Sequence, residues 1–340
     1  MRTSFFLSIV LIVTSVEFSF AATLTVGPGQ DYSLLEQAAP NAQPGDTILV
    51  YEDAYTGVEN LNNIQGTAND WIYITAAPGQ NVVYTGATEA WHLTNCTYLH
   101  ISGFTYEQQT GNGVNTDDGG DYSTPTHHII YENCTFQNMA GTGNNDLLKL
   151  SGLDDFEVRN CIFLNGAAGG SGIDMVGCHR GVIQDNYFEN MGSNAIQAKG
   201  GTQFIRIEGN FFKNAGFRSV NLGGSTGLQF FRPLGTLFEA ADLQVYSNVF
   251  IGSEAPIAYV GSTRVDVINN TIYMPDKWVV RILQETTDSG FVQCSFNTFR
   301  NNIIYLGNSI STETNIGPNT QPSTFSYSSN LWFNVDDASW

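Results

Sequence analysis

Residues Val182–Phe212 read VIQDNYFENMGSNAIQAKGGTQFIRIEGNFF. One phrase stands here twice: an alternating apolar run, an Asn, then an aromatic two places on, as Asn186/Phe188 and Asn210/Phe212. Moving outward, the phrase returns as Asn133/Phe136, Asn160/Phe163 and Asn248/Phe250, then as Asn270/Tyr273, Asn302/Tyr305 and Asn330/Trp332. The Asn spacings are 27, 26, 24, 38, 22, 32 and 28 residues. The short steps define a repeat of about 22 to 27 residues, and the longer ones carry insertions.

A second phrase lies between these copies, apolar–variable–apolar, closed by a small or polar residue. It appears as Leu148-Lys149-Leu150, Ile173-Asp174-Met175, Ile196-Gln197-Ala198, Val220-Asn221-Leu222, Ile257-Ala258-Tyr259 and Val280-Arg281-Ile282. Earlier copies are Trp91-His92-Leu93 and Val114-Asn115-Thr116. Period-two alternation means strands, and the Gly, Ser and Asn that bound them mean turns. Several short strands per fixed period cannot bury their apolar positions alone, so each coil stacks on the next and its strands pair in parallel. The fold predicted is all-β: a right-handed parallel β-helix, one elongated domain over residues 22–340.

Composition agrees. Only 13% of residues are charged, and 37 are Tyr or Phe, so the chain is too apolar for disorder. Residues 1–21 read as a secretory signal, with Arg2, an apolar run to Phe18, and Ser19 and Ala21 at a small-residue cleavage site. The expected location is extracellular or periplasmic, and no later run is long enough to span a membrane. Residues Asp31–Ala42 predict a short amphipathic helix that caps the open end of the solenoid, ahead of a strand over Thr47–Tyr51. The chain stops in mid-phrase after Asn330, which predicts further coils beyond Trp340, and the elongated domain is expected as a monomer. Cys96, Cys134, Cys161, Cys178 and Cys294 form neither a disulfide framework nor a zinc pattern and are expected as small buried hydrophobes.

The stretch Val26–Tyr32 (VGPGQDY) with Gln43–Ile48 (QPGDTI) resembles the first coil of secreted β-helix proteins of the pectate-lyase-like superfamily. The Asn/aromatic coils extend the likeness over nearly all the mature chain. The resemblance implies the fold and a carbohydrate-directed function, in a superfamily that holds lyases, hydrolases, epimerases, esterases and non-enzymatic adhesins.

Aligned coil by coil, the second phrase puts one residue outward between two inward apolar ones. That ladder reads His92, Asn115, Lys149, Asp174, Gln197, Asn221, Ala258, Arg281. A second outward row reads Thr94, Asp117, Ser151, Val176, Lys199, Gly223, Val260, Leu283. Two long steps place loops near Asp118–His128 and Ser225–Ala241, both positioned to wall a groove over the ladder. The second loop carries Phe230, Phe231, Arg232 and Phe238, which suit either sugar stacking or packing on the flank.

The net charge of −19 excludes nonspecific nucleic-acid binding. Yet all twelve basic residues other than Arg2 lie between Lys149 and Arg300, where 14 acids bring the balance to −2. A mixed cationic and amide ladder of Lys149, Asp174, Gln197, Asn221 and Arg281, with Phe231 and Arg232 beside it, fits an acidic polysaccharide as partner. The bland reading of Lys149 and Asp174 is a cross-strand ion pair.

The superfamily resemblance implies cleavage of a uronate polymer by β-elimination, with Lys and Arg on adjacent coils and often calcium. Carried onto this chain, Lys199 is the candidate base, with a solvated surface lysine as its bland reading, and Arg218 and Arg281 grip carboxylates. His179 is a candidate acid. Calcium is the candidate cofactor, assigned to Asp117, Asp118 and Asp121, whose clustered carboxylates stand beside glycines, with Asp174 and Glu285 as a second candidate site. The Gly-His-Gly and Arg-Ile-Lys of polygalacturonase-like hydrolases and the Trp-Ile-Asp-His of classical pectate lyases are missing. A hydrolase, an epimerase and a non-catalytic glycan-binding module therefore stand as alternatives to a lyase.

Overall fold

The computed structural model describes residues 21–52, 54–337 and 339–340. The leader over residues 1–21 lies outside this range except for Ala21. Three sheets of 15, 10 and 11 strands run the length of the molecule, and every strand pair within them is parallel. Each coil contributes a short strand to each sheet. The ladder sheet runs from Glu59–Asn62 to Thr314–Ile316, the second sheet from Thr23–Val26 to Ser326–Ser328, and the third from Ala54–Tyr55 to Leu331–Asn334.

Inward residues stack on their own kind. Tyr106, Phe136, Phe163, Phe188, Phe212 and Phe250 form one column with ring centroids 4.6–5.0 Å apart. That distance equals the strand spacing, so equivalent rings have no other place to go. Each ring is at most 1% exposed, which contributes about 2–3 kcal/mol per side chain.

A second column is polar. Asn186, Asn210, Asn248, Asn270 and Asn302 each pass an Nδ2 hydrogen bond to the Oδ1 of the next, ending at Asn330, at 3.0–3.1 Å. Their second amide hydrogens return to backbone carbonyls, such as Val158 and Ile183. Burial of an amide is tolerated because its partners are supplied by the repeat itself. Asn133 and Asn160 do not belong to this column. They sit one residue earlier, at φ 53°, in the turn position that Asn tolerates, and Cys134 and Cys161 occupy the column. Likewise Ile272 and Ile304, not Tyr273 and Tyr305, take the inward place. All five cysteines are free and buried.

The N-terminal helix is shorter than its sequence pattern suggests. It spans Leu35–Ala38 and tightens into a 3-10 turn over Ala39–Asn41 where Pro40 stands. Leu35 and Ala38 are wholly buried at the end of the core, so the helix does close that end.

Candidate functional site

The ladder sheet carries the site. Its register pairs His92, Asn115, Lys149, Asp174, Gln197, Asn221, Ala258 and Arg281 in one row, as the alternation predicts. Their neighbours Leu148, Leu150, Ile173, Met175, Ile196 and Ala198 are buried. A further row, three residues before the ladder, comprises Glu89, Asn112, Asp146, Ser171, Asn194 and Arg218. Its members are linked by hydrogen bonds from Asn112 Nδ2 to Glu89, from the Asp146 N–H to Asn112 and from the Ser171 N–H to Asp146. The constant offset of polar residues in the sequence was its signal.

Asp174 is the centre of charge. It is wholly buried, with Lys149 Nζ bonded to Oδ2 and Lys199 Nζ 3.2 Å from Oδ1. Lys199 also donates to Gln197 Oε1 at 3.3 Å. Asp146, 1% exposed, lies 3.5 Å from Lys149 on its other side. Burial alone would push the Asp174 carboxyl up, but the two ammonium groups outweigh it and hold the carboxyl below its usual range. Burial, and then the neighbouring Asp174, raise Asp146 to about 6. Lys149 is drawn down by burial and up by the two carboxylates, and the carboxylates prevail.

Beyond Lys199 the groove opens into a cavity of about 460 Å³ whose lining includes Gln197, Lys199, Arg218, Arg281, Glu254 and Glu285, with Phe217 and Asn221 beside them. Arg218 donates to Asn221 Oδ1 and Glu285 Oε1, both at 3.1 Å. Arg281 donates to Asn315 Oδ1 at 3.3 Å and lies over the Trp278 ring at 4.6 Å. Burial first, and Arg218 second, pull the Arg281 guanidinium down from its ordinary value. Arg281, turned to an amide and not to a carboxylate, keeps its charge beside this open space, and Arg218 reaches the same space from its pairing with Glu285, so the two suit one ligand carboxylate.

The two loops meet as one wall. Arg232 makes a two-point ion pair with Asp118, Nε to Oδ2 at 2.6 Å and Nη2 to Oδ1 at 2.7 Å, and the Tyr122 hydroxyl donates to Gln229 O at 2.7 Å. Arg232 is therefore a clasp, not a free ligand group. Phe231 is 1% exposed, with its ring against Phe291, so it does not face the groove; Phe230 and Phe217 are the exposed aromatics there. Gly200 and Gly201, after Lys199, make room for this loop. A Cβ on Gly201 would meet the Arg232 carbonyl oxygen at 2.6 Å.

Other expected residues fall elsewhere. His179 begins a strand of the second sheet and bonds through Nδ1 to Asp154 Oδ1 at 2.9 Å, beside a separate cavity of about 100 Å³. Periodicity places it in the right coil but on a different face from Lys199. Asp117, Asp118 and Asp121 do not converge: Asp117 bonds to His92, Asp118 to Arg232, and exposed Asp121 to Ser123. Among the described residues no group of three or more His, Cys, Asp or Glu is placed to share a metal ion. These three residues do not fit a calcium site.

A family model for the right-handed beta helix region matches residues 81–272, more than half of the chain. The chain belongs to this family. The β-helix also resembles solved structures. An alginate lyase from Paenibacillus sp. str. FPU-7 is 17% identical with a TM-score of 0.54, over 92% of this chain and 99% of that one. Pectate lyase Pel9A is 16% identical with a TM-score of 0.60, over 90% and 80%. The A-module of the Azotobacter vinelandii mannuronan C-5 epimerase AlgE4 is 14% identical with a TM-score of 0.50, over 89% and 93%. At such identities the likeness is one of fold, and with the family match it bears out the right-handed parallel β-helix read from the coils. No curated protein sequence matches the chain. No described helix is long and apolar enough to cross a membrane.

Proposed function

We propose that this β-helix is a secreted carbohydrate-active protein that binds a uronate polymer across the ladder sheet and cleaves it by β-elimination. The observation that carries the reading is the pair Arg218 and Arg281 on one open cavity, with Lys199 on the same wall. In this reading the guanidinium pair holds the uronate carboxylate and stabilises charge that builds on it as the α-proton leaves. Lys199, positioned by Asp174 and Gln197, first releases its ammonium proton to solvent and then takes the α-proton on the free amine. The electron pair forms the C4–C5 double bond, the C4–O bond breaks, and the ammonium just formed returns a proton to the departing oxygen. His179 has no part, and no step passes through calcium. The lyase and epimerase activities of the fold's neighbours are consistent with a polysaccharide substrate.

The test is ultraviolet absorbance of the unsaturated product on a panel of uronans, with Lys199→Ala and Arg281→Ala. Lys199→Ala should bind polymer and lose turnover, and Arg281→Ala should lose affinity. If the folded protein neither binds nor cleaves any uronan, the reading fails. A hydrolase is the second reading, because two carboxylates, Glu254 and Glu285, line the same open cavity, the number that glycoside hydrolysis uses. New reducing ends without the ultraviolet signal would select it.

A further inference from the structure

The groove holds a second cavity, of about 400 Å³, which shares Asn144, Lys199 and Ser225 with the first. The two differ in charge. In the first, Arg218 is paired with Glu285 and Glu254 also lines the wall, but Arg281 turns to an amide oxygen and keeps its charge for a ligand. The second also has three cations in its walls, but each head group is already engaged. Lys149 and Lys199 are held on the two oxygens of Asp174, and Arg232 is paired with Asp118. What these lysines turn to the cavity is mainly methylene stem. Beside them stand Val176, the first apolar residue along the second outward row, and Phe230, 54% exposed on the loop above. This is a half-apolar recess whose cations are all paired, adjoining one where Arg281 is not, and Ser151 and Ser225 supply hydroxyls on its walls.

We propose that the substrate is an O-acetylated uronan, its carboxylate on Arg218 and Arg281 and an acetyl group of a neighbouring sugar in the second recess. The proposal rests on the uronan-binding reading above and names its substrate more narrowly. An unsubstituted sugar would set a hydroxyl against Val176 and Phe230, whereas an acetyl group sets its methyl there and offers its carbonyl to a serine hydroxyl. The ester must sit on a hydroxyl. Esterifying the carboxylate would remove the charge that the arginines receive.

The experiment compares one uronan in three forms: O-acetylated, deacetylated by mild alkali, and methyl-esterified. Binding is measured by calorimetry and kcat/KM by product absorbance. The wild type should favour the acetylated over the deacetylated form by about tenfold, the scale of one small apolar group in a pocket. Phe230→Ala and Val176→Thr should bring that ratio toward one. Arg281→Ala should weaken both forms together and leave the ratio standing, which separates the two recesses. Equal handling of the two forms by wild type, or preference for the methyl ester, overturns the acetyl recess while the uronan reading stands. Failure of every form to bind removes the uronan reading and this proposal with it.

Discussion

Replacing Asp174 by Asn keeps the shape of the side chain and removes the one anion between two lysines. Asp174 has no exposed surface, and the side chains of Lys149 and Lys199 are only 20% and 13% exposed, so little solvent compensates. Breaking a buried ion pair from one side costs about 3–5 kcal/mol, because the partner's charge is left uncompensated. Lys149 retains Asp146 at 3.5 Å and Lys199 retains Gln197, which sets the cost at the lower end, about 3 kcal/mol. The sign of the pH dependence follows from the depressed carboxyl. The contribution is present above the unfolded value near 3.8 and is lost as pH falls through the lower folded value. Urea unfolding followed by tryptophan fluorescence measures the loss, with an unchanged m-value as the check that the unfolding transition is the same. Lys149→Met in the Asp174→Asn background should recover part of it, giving a coupling of about 2 kcal/mol in the double-mutant cycle. A loss below about 1 kcal/mol at neutral pH would refute the claim that Asp174 anchors the groove.

Asn248→Ala removes a link of the amide column, including the bonds to Ile207 O and Asn270 Oδ1, and should destabilise by roughly 2–4 kcal/mol; a melt unchanged from wild type would contradict it. Asp146 has a raised carboxyl, so its contribution is full below 3.8 and lost as pH rises through about 6, a difference of ~3 kcal/mol. Asp146→Asn should abolish that fall in stability, and equal slopes for both proteins between those pH values would sink the assignment. Arg232→Ala leaves Asp118 buried without its partner and should cost about 3 kcal/mol, with new protease cleavage confined to residues 225–238; an intact loop under limited proteolysis would count against the clasp.

The sequence carried the scaffold further than the site. Period-two alternation is local, so Lys149, Asp174 and Gln197 could be placed in one outward row before any contact was known. The Asn phrase mixed two neighbouring positions, because Asn suits both a left-handed turn and a buried ladder; only the register of Phe136 on Phe163 separates them. His179 shows the limit of a repeat: it identifies the coil but not which of three faces a residue takes. Phe231 and Arg232 were beyond reach for another reason. The Arg232 partner stands 114 residues away on another loop, and nothing in either loop's own pattern indicates the pairing. Asp146 was missed because it lies outside the apolar–variable–apolar phrase, yet its proximity to Lys149 makes it part of the same charge cluster.

The amide column also separates what can change from what cannot. Asn210 and Asn248 are 38 residues apart and Asn248 and Asn270 only 22, yet both links close at 3.0 Å. The 16 extra residues leave from one corner of a coil and return without disturbing the stacking at another. A lineage built on this chassis is thus free to exchange its groove walls while inheriting the same spine. Loops such as 225–238 can then be exchanged to change ligand preference, provided that the pairing of Arg232 with buried Asp118 is kept or replaced.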